Sequence, residues 1–301
     1  MQKNSKNVNK KLSPTVQNHR LDRMAKPYLY WLYIFACLPI LIMVFLMFVD
    51  AEGIRFDGMS LTLSNFTFLS NSSVITAFLN SFKYSILTTV ICIFFGYLLA
   101  YTLHKSKIRN KYMVLMLLIL PMWTNILLRI NALASVFKAS NIISDIFNIP
   151  GLDIIGTDIA IILGMVFTYL PFIVLPIYTS LEKVDYSLEE AALDLGVTET
   201  KKFWKVIVPL TMSGVASGSM MVLLPCLSGF AIPKVLGAGN ILLIGNIIEQ
   251  NFINMSYNQG ALLAVVLLVI ILGSILIVNK LDKEGETLIW WIMLVIYLRL
   301  H

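Results

Sequence analysis

Charged residues are scarce in this chain. Only 13% of its 301 residues are Asp, Glu, Lys or Arg, whereas 58% are hydrophobic and the mean hydropathy is +0.81. Soluble domains contain about 25% charged and about 45–50% apolar residues. A chain with so little charge would expose large apolar patches in water. The composition therefore excludes a disordered protein, a nucleic-acid-binding protein and an ordinary soluble enzyme.

Cysteine and histidine are also rare, with three residues of each. Cys37, Cys92 and Cys226 lie in separate apolar runs without CxxC spacing or a nearby histidine, which argues against a disulfide framework and a zinc site. The cysteines are predicted to be small buried residues. No histidine has a catalytic or metal-binding companion at a useful spacing. We therefore expect no metal, no cofactor and no catalytic residues.

Long uncharged runs are abundant. A bilayer core about 30 Å thick needs about 20 apolar residues of helix. The first run is too long and too aromatic for a secretory signal peptide and is predicted to be a retained helix. The sequence therefore predicts an all-α, polytopic membrane protein with six transmembrane helices. The predicted spans are 28–49, 84–104, 112–128, 159–181, 206–233 and 259–279.

The distribution of basic residues predicts the orientation of these spans. Of the 23 Lys and Arg residues, 18 lie in the tail before the first span, in the loops after the second and fourth spans, or at the end of the chain. The other 5 lie in the alternate segments. Lys and Arg in short loops favour the cytoplasmic side. Both termini are therefore predicted to be cytoplasmic, in a protein of the cytoplasmic membrane.

The loop between the fourth and fifth spans has a well-defined local pattern. Ser187 and Glu190 have the spacing of a capping box. Good helix formers follow over residues 190–195, and Gly196 stands where a left-handed residue would end a short helix. Thr198 is predicted to cap a second short helix that contains Phe203 and Trp204, and Pro209 opens the next span, where proline is tolerated. The pattern predicts a helix-turn-helix on the inner face of the membrane.

These residues also carry a family resemblance. Glu190-Ala191-Ala192, then Gly196 after three intervening residues, then residues 206–209 resemble the E-A-A-x3-G-x9-I-x-L-P loop of ABC importer permeases. Valine replaces the usual Ile and Leu at two positions. We term residues 182–206 the EAA loop. The resemblance implies a type I ABC importer (methionine-permease-like) transmembrane fold. It also implies that this loop couples the permease to an ATPase through Glu190, Ala191, Ala192, Gly196 and Pro209.

The role of Glu190 stays open between two alternatives, a charge offered to the partner and the second half of the capping box. The chain itself lacks the G-x-x-x-x-G-K-[ST] motif that cradles nucleotide phosphates. The resemblance therefore implies that a separate cytoplasmic ABC ATPase dimer hydrolyses ATP. The other implied partners are a second homologous permease subunit, an extracellular or periplasmic polyamine-binding protein, and the lipid membrane.

Three further segments resemble the spermidine/putrescine branch of this family, and specifically the first of its two permease subunits. They are residues 120–130, 229–234 and 242–248. The resemblance implies transport of polyamines. A polycation is expected to meet aromatic faces and carboxylates along its path. The candidate translocation path comprises Trp123, Asn125, Arg129, Tyr169 and Glu249.

Some of these residues have alternative interpretations. Arg129 either snorkels to the outer surface or pairs with Asp145 or Glu249, because an unpaired charge inside a membrane is costly. Trp123 is either an interfacial residue or a gate. Gly214 and Gly218 form a GxxxG pattern that suits either packing within the chain or a subunit interface. Pro121, Pro171 and Pro176 are predicted to kink the third and fourth spans.

The domain organisation follows from these assignments. It comprises a cytoplasmic basic tail (1–27), the first transmembrane helix with an outer loop (28–78), an ABC transmembrane core (79–280) and a C-terminal tail (281–301). Residues 288–298 of the tail are apolar but too short to span. They are interpreted either as an interfacial anchor or as the product of a shifted reading frame.

Two other functions are weighed against the polyamine permease. One is an ABC permease for another small solute. The other is an ion-driven secondary transporter, which would usually show inverted repeats and buried acids within the spans. The sequence shows neither feature, and no catalytic constellation supports an intramembrane enzyme.

Overall fold

The computed structural model describes residues 14–50, 60–147 and 154–281, with side chains over 26–50, 60–138 and 154–276. These residues are almost entirely helical. The α-helices are α1 (Pro14–Leu46), α2 (Ser72–Lys105), α3 (Lys111–Ile119), α4 (Ile126–Phe147), α5 (Asp158–Lys183), α6 (Tyr186–Asp194), α7 (Glu199–Lys202), α8 (Val208–Leu210), α9 (Met212–Ser228), α10 (Ala231–Leu236), α11 (Ile244–Ile253) and α12 (Tyr257–Leu281).

Several short elements connect these helices. Val49–Asp50 (β1) pairs antiparallel with Ser60–Leu61 (β2) between α1 and α2. The 3-10 helices Ser64–Ser70 and Leu120–Trp123 precede α2 and follow α3, respectively. A π-helix, Phe203–Ile207, joins α7 to α8.

Four helices are long and apolar enough to cross a membrane within the described residues, and two bent pairs raise the number to six. The predicted spans 159–181 and 259–279 agree closely with α5 and α12. The second span was predicted too short, because α2 begins at Ser72 rather than at residue 84. The side chain of Asn71 accepts a hydrogen bond from the Ser73 N–H at the start of α2, and Lys83 pairs with Asp158 instead of interrupting the helix.

The third and fifth predicted spans are wrong as single helices. In the third, the segments Lys111–Trp123 and Ile126–Lys138 meet at 94°. Pro121 opens the 3-10 helix there, and its missing N–H prevents α3 from continuing regularly. In the fifth, Glu199–Leu210 and Met212–Ser228 meet at 65°. By contrast, Pro171 and Pro176 both lie within the continuous helix α5.

The centre of the fold is the packing of α2, α5 and α9 against one another. The GxxxG pattern of α9 lies at this contact. A Cβ atom on Gly214 would be 2.6 Å from the carbonyl oxygen of Pro176, and one on Gly218 would be 2.7 Å from Cγ1 of Ile173. Both neighbours belong to α5, so this glycine pattern serves packing within the chain.

Helix α1 is peripheral to this core. It contacts α12, and no residue of its apolar window is buried. The prediction that all three cysteines are buried is therefore wrong for Cys37, which is exposed on α1. Cys92 and Cys226 are buried, on α2 and α9 respectively. The exposed apolar side chains of α1 suit contact with lipid or with another subunit.

Candidate functional site

Helix α6 forms the first half of the EAA loop. Its N-terminal cap is Asp185, whose Oδ1 atom accepts a hydrogen bond from the Ser187 N–H at 3.0 Å. That bond lowers the pKa of Asp185. The predicted capping box is therefore wrong, because Ser187 lies inside the helix rather than at its cap. One of the two alternatives for Glu190, completion of that box, is removed with it.

The end of α6 agrees with the sequence prediction. Gly196 has φ +75°, in the left-handed region that glycine adopts without steric cost. The Gly196 N–H donates to the carbonyl of Leu193 at 2.8 Å, and the Val197 N–H donates to the carbonyl of Ala192 at 3.1 Å. These two bonds form a Schellman motif, which satisfies carbonyls that the helix would otherwise leave free.

The two faces of α6 differ in exposure. Glu189 and Ala192, three residues apart, are buried against the rest of the chain. Glu190 and Ala191 are exposed, so only the third residue of the EAA sequence faces inward. The exposed face also carries Leu188, Leu193 and Leu195. Helix α6 therefore presents a partly apolar surface that the described residues leave exposed.

The second half of the EAA loop leads into α9. The Thr198 side chain makes no capping hydrogen bond to α7, although the Thr198 carbonyl accepts from the Lys202 N–H. The π-helix Phe203–Ile207 follows, and π-helical turns occur frequently at functional sites. Pro209 is exposed in the first turn of α8, and the chain bends at Thr211 before α9. Pro209 therefore precedes the bend. The prediction that it opens the long helix is wrong.

A cluster of charges around the buried carboxylate of Glu189 anchors α6. Oε2 of Glu189 is 2.5 Å from Nζ of Lys105, the last residue of α2, and 3.4 Å from Nζ of Lys202. Lys202 also pairs with Glu199 at 2.8 Å. Burial raises the pKa of Glu189, but the hydrogen bonds and positive charges of the two lysines outweigh it, so that the pKa is lowered overall. Glu189 is therefore held as a carboxylate.

Sequence reasoning missed Glu189 because the family motif draws attention to its neighbour, Glu190. The sequence feature that could have identified Glu189 is the helical spacing. Ala192 is three residues from Glu189 and only two from Glu190, so Glu189 shares a face with the small residue of the motif. That signal identifies a common face but not which face is buried, since burial depends on residues distant in sequence.

Three candidate path residues lie at the break in the third span. Trp123, at the end of the 3-10 helix, is 89% exposed. Oδ1 of Asn125 accepts a hydrogen bond from the Leu127 N–H at 2.8 Å and so caps the start of α4. Nε of Arg129 is buried and has no hydrogen-bond partner within the described residues. The predicted pairing of Arg129 with Asp145 concerns a side chain outside the described ones.

The other two candidate path residues occupy different surroundings. Tyr169 is buried in the core and lies close enough to Arg129 to interact electrostatically. Oε1 of Glu249 is 2.6 Å from Nζ of Lys234, so its ion-pair partner is Lys234 rather than Arg129. Glu249 also lines a largely apolar cavity of about 440 Å³ among α1, α11 and α12. Tyr169 therefore interacts with Arg129, whereas Glu249 interacts with Lys234.

The capping contact of Asn125 predicts a specific pattern of substitutions. Asn125→Ala is expected to lower the stability of the protein by about 1 kcal/mol, because it removes the acceptor for an amide at the start of α4. Asn125→Asp and Asn125→Ser keep an acceptor and are expected to restore most of that stability. Thermal unfolding of the purified protein in lipid nanodiscs measures the difference. Equal stability of all four proteins would contradict the capping role.

Known transport proteins resemble this chain in sequence. Residues 92–283 match the family described as "Binding-protein-dependent transport system inner membrane component". The spermidine/putrescine transport system permease protein PotB of Haemophilus influenzae is 33% identical over 259 residues, which cover 84% of this chain and 91% of that protein. PotB of Escherichia coli is 34% identical over 268 residues, which cover 85% and 97%.

A solved structure also resembles the fold. It is a bacterial ABC transporter involved in the import of the acidic polysaccharide alginate. The match has a TM-score of 0.73 at 16% sequence identity, and it covers 90% of this chain and 97% of that chain. At this identity the likeness concerns the arrangement of the helices alone.

Proposed function

Because this chain belongs to the family of binding-protein-dependent transport system inner membrane components, we infer that it forms part of the path by which an ATP-driven importer moves polyamines across the cytoplasmic membrane. The family membership makes it a permease of the ABC importer class, and its fold agrees with that class. The substrate is proposed from the names of the PotB relatives, which extend over most of this chain.

The observation that carries the proposal is the exposed face of α6. A nine-residue helix with a cap at one end and a Schellman motif at the other is a rigid unit. Its exposed Glu190 and Ala191, with three exposed leucines, offer a surface for a protein partner. We assign this surface to a cytoplasmic ATPase, which would hydrolyse ATP in place of this chain. Closure of the ATPase dimer would then move α6 as a rigid body.

The basic residues support the orientation of this surface. The EAA loop contains Lys183, Lys201, Lys202 and Lys205, and the turn after α2 contains Lys107 and Arg109. Both segments lie at the end of the molecule where Lys105 meets Glu189. Because Lys and Arg favour the cytoplasmic side, we place this end and both termini in the cytoplasm. A second homologous permease and a polyamine-binding protein on the outer side would complete the importer.

Five residues are proposed to border the translocation path. Tyr169 is buried in the core and interacts electrostatically with Arg129, and Glu249 lies at the edge of an apolar cavity. A path with few carboxylates would hold a polycation weakly, which suits an importer that receives its solute from a separate binding protein. Trp123 and Asn125 are placed at the break between α3 and α4, where the backbone departs from a continuous span.

Uptake and co-purification together test this function. Cells carrying the gene are expected to take up radiolabelled spermidine, and cells without it are expected to lose that uptake. Unlabelled putrescine should compete, whereas an excess of sulfate should not. The tagged protein should co-purify with an ATPase, and ATP depletion should stop uptake.

Three outcomes would contradict parts of the proposal. Competition by an unrelated solute, but not by putrescine, would indicate an ABC permease for another substrate. Uptake that persists without ATP while an ion gradient is intact would indicate a secondary transporter. Failure of the tagged protein to co-purify with any ATPase would contradict the role assigned to α6.

A further inference from the structure

The EAA loop contacts a single stripe of α2. Tyr97, Tyr101 and Lys105 follow one another at intervals of four residues, which places them on one face of the helix. Lys105 binds Glu189 of α6 at 2.5 Å. The rings of Tyr97 and Tyr101 make edge-to-face contacts with the ring of Phe203, with centroids 5.5 and 4.8 Å apart. The two halves of the EAA loop therefore rest on the same stripe.

The stripe also reaches the bend before α9. The hydroxyl oxygens of Tyr97 and Thr211 are 2.8 Å apart and share a hydrogen bond. Thr211 is fully buried, and its hydroxyl also lies within hydrogen-bond distance of the carbonyls of Ile207 and Val208. The stripe thus contacts both halves of the EAA loop and the bend that follows the loop.

The contact with Glu189 differs from the others in its dependence on charge. The carboxylate is buried between two lysines, and Lys202 retains a second partner in Glu199. Lys105 has no second carboxylate partner within the described residues. Loss of the Glu189 charge therefore removes the ion pair between the tip of α2 and α6 and leaves the contact of Lys105 Nζ with the Tyr186 ring, 6.0 Å from its centroid, while Lys202 keeps its pair with Glu199. Glu189 is 4% exposed, whereas 36% of the Lys105 side chain is exposed. Removal of Lys105 therefore leaves the buried carboxylate with Lys202 as its remaining cation, and loss of a partner from a buried charge is unfavourable.

We propose that Glu189 is a positioning residue that clamps α6 to the end of α2 through Lys105, so that movement of the EAA loop reaches the α2–α5–α9 core. This inference rests on the proposed function and deepens it. Glu190 on the exposed face contacts the ATPase, and Glu189 on the buried face transmits the resulting displacement. The adjacent carboxylates thus serve opposite sides of one short helix.

The test compares uptake with ATP hydrolysis in the complete importer. Glu189→Gln and Lys105→Gln are each expected to lower spermidine uptake by about tenfold, because each removes the charge-dependent link. ATP hydrolysis by the co-purified complex should fall by no more than about twofold, since the exposed face of α6 is unchanged. The double variant should transport no less than either single variant, because both changes remove the same contact.

Two controls separate the clamp from a general loss of structure. Lys105→Arg keeps a cation beside Glu189 and is expected to restore uptake to near the original level. Lys107→Gln removes a basic residue two positions away that is exposed, and it should leave uptake unchanged. Both controls and the test variants should assemble with the ATPase in equal amounts.

Several results would overturn the inference. A proportional fall of uptake and ATP hydrolysis in Glu189→Gln would indicate a general structural or docking defect. Additive losses in the double variant, or normal uptake by Lys105→Gln, would show that the ion pair does not carry the movement. Failure of the original chain to bind an ATPase would instead contradict the proposed function, so the two failures are distinguishable.

Discussion

Gly196→Val is expected to abolish spermidine uptake while the protein remains in the membrane. Gly196 has φ +75°, and a residue with a Cβ atom pays about 1–2 kcal/mol in this region. A β-branched residue is a genuine outlier there. Apart from the two chain neighbours, no atom of the described residues lies within 4 Å of the position that a Cβ would occupy, so the cost arises from the backbone rather than from a steric clash.

The consequence of that cost is local. A shift of φ at residue 196 would break the hydrogen bonds to the carbonyls of Ala192 and Leu193 that end α6. A helix of nine residues is marginal in isolation and depends on such contacts. The face of α6 would then lose its rigidity, whereas the α2–α5–α9 core would be unaffected.

Matched variants identify the cause of the loss. Gly196→Asn should retain part of the uptake, because asparagine tolerates the left-handed conformation. Gly239 has φ +82°, and the described residues leave the position of its Cβ equally open, but it lies in the turn between α10 and α11. Gly239→Val therefore imposes the same backbone penalty away from the EAA loop and should retain most of the uptake. Normal uptake by Gly196→Val would refute the coupling role of this loop.

Gly214→Leu is expected to reduce sharply the amount of folded protein in the membrane. Even a single Cβ atom at Gly214 would be 2.5 Å from Oγ of Ser180 and 2.6 Å from the carbonyl oxygen of Pro176. The Ser180 hydroxyl can rotate away, but the backbone of α5 cannot move without disturbing the core. Overpacking typically costs about 1–3 kcal/mol, and leucine at a backbone contact belongs at or above the upper end.

Helix α12 offers a matched control for this substitution. Gly273 also lies in a helix, and a Cβ atom there would meet nothing within 4 Å in the part of the chain that the structure describes. Gly273→Leu should therefore accumulate to near the original level. Quantitative immunoblotting of membranes, followed by thermal unfolding of the purified proteins, compares the two. Equal levels and equal unfolding temperatures would contradict the assignment of Gly214 to the contact between α9 and α5.

The apolar runs and the C-terminal end of α6 could be predicted from the sequence. The composition identified a membrane protein, and two predicted spans agree closely with α5 and α12. Gly196 was correctly placed at the end of a short helix, because the preference of glycine for positive φ is a property of the residue itself. The EAA spacing likewise predicted the family, to which residues 92–283 belong.

The breaks and caps were harder to predict because competing local signals were available. Ser187 and Asp185 can both cap a helix, and the structure uses Asp185. Proline marks both bent spans, but Pro171 and Pro176 lie inside a continuous helix. Whether a proline breaks a helix depends on whether neighbouring elements can support the altered backbone, and that information is not local.

The sequence by itself determined what each segment is: a set of apolar helices, a loop with a fixed helix end, and the family that uses it. Only the tertiary structure decided which residues of those segments meet. Glu189 pairs with Lys105, which is 84 residues away in the sequence, and Gly214 packs against the backbone of α5. Backbone preferences and hydrophobicity act within a few residues, whereas an ion pair or a close helix contact exists only after distant segments have packed together.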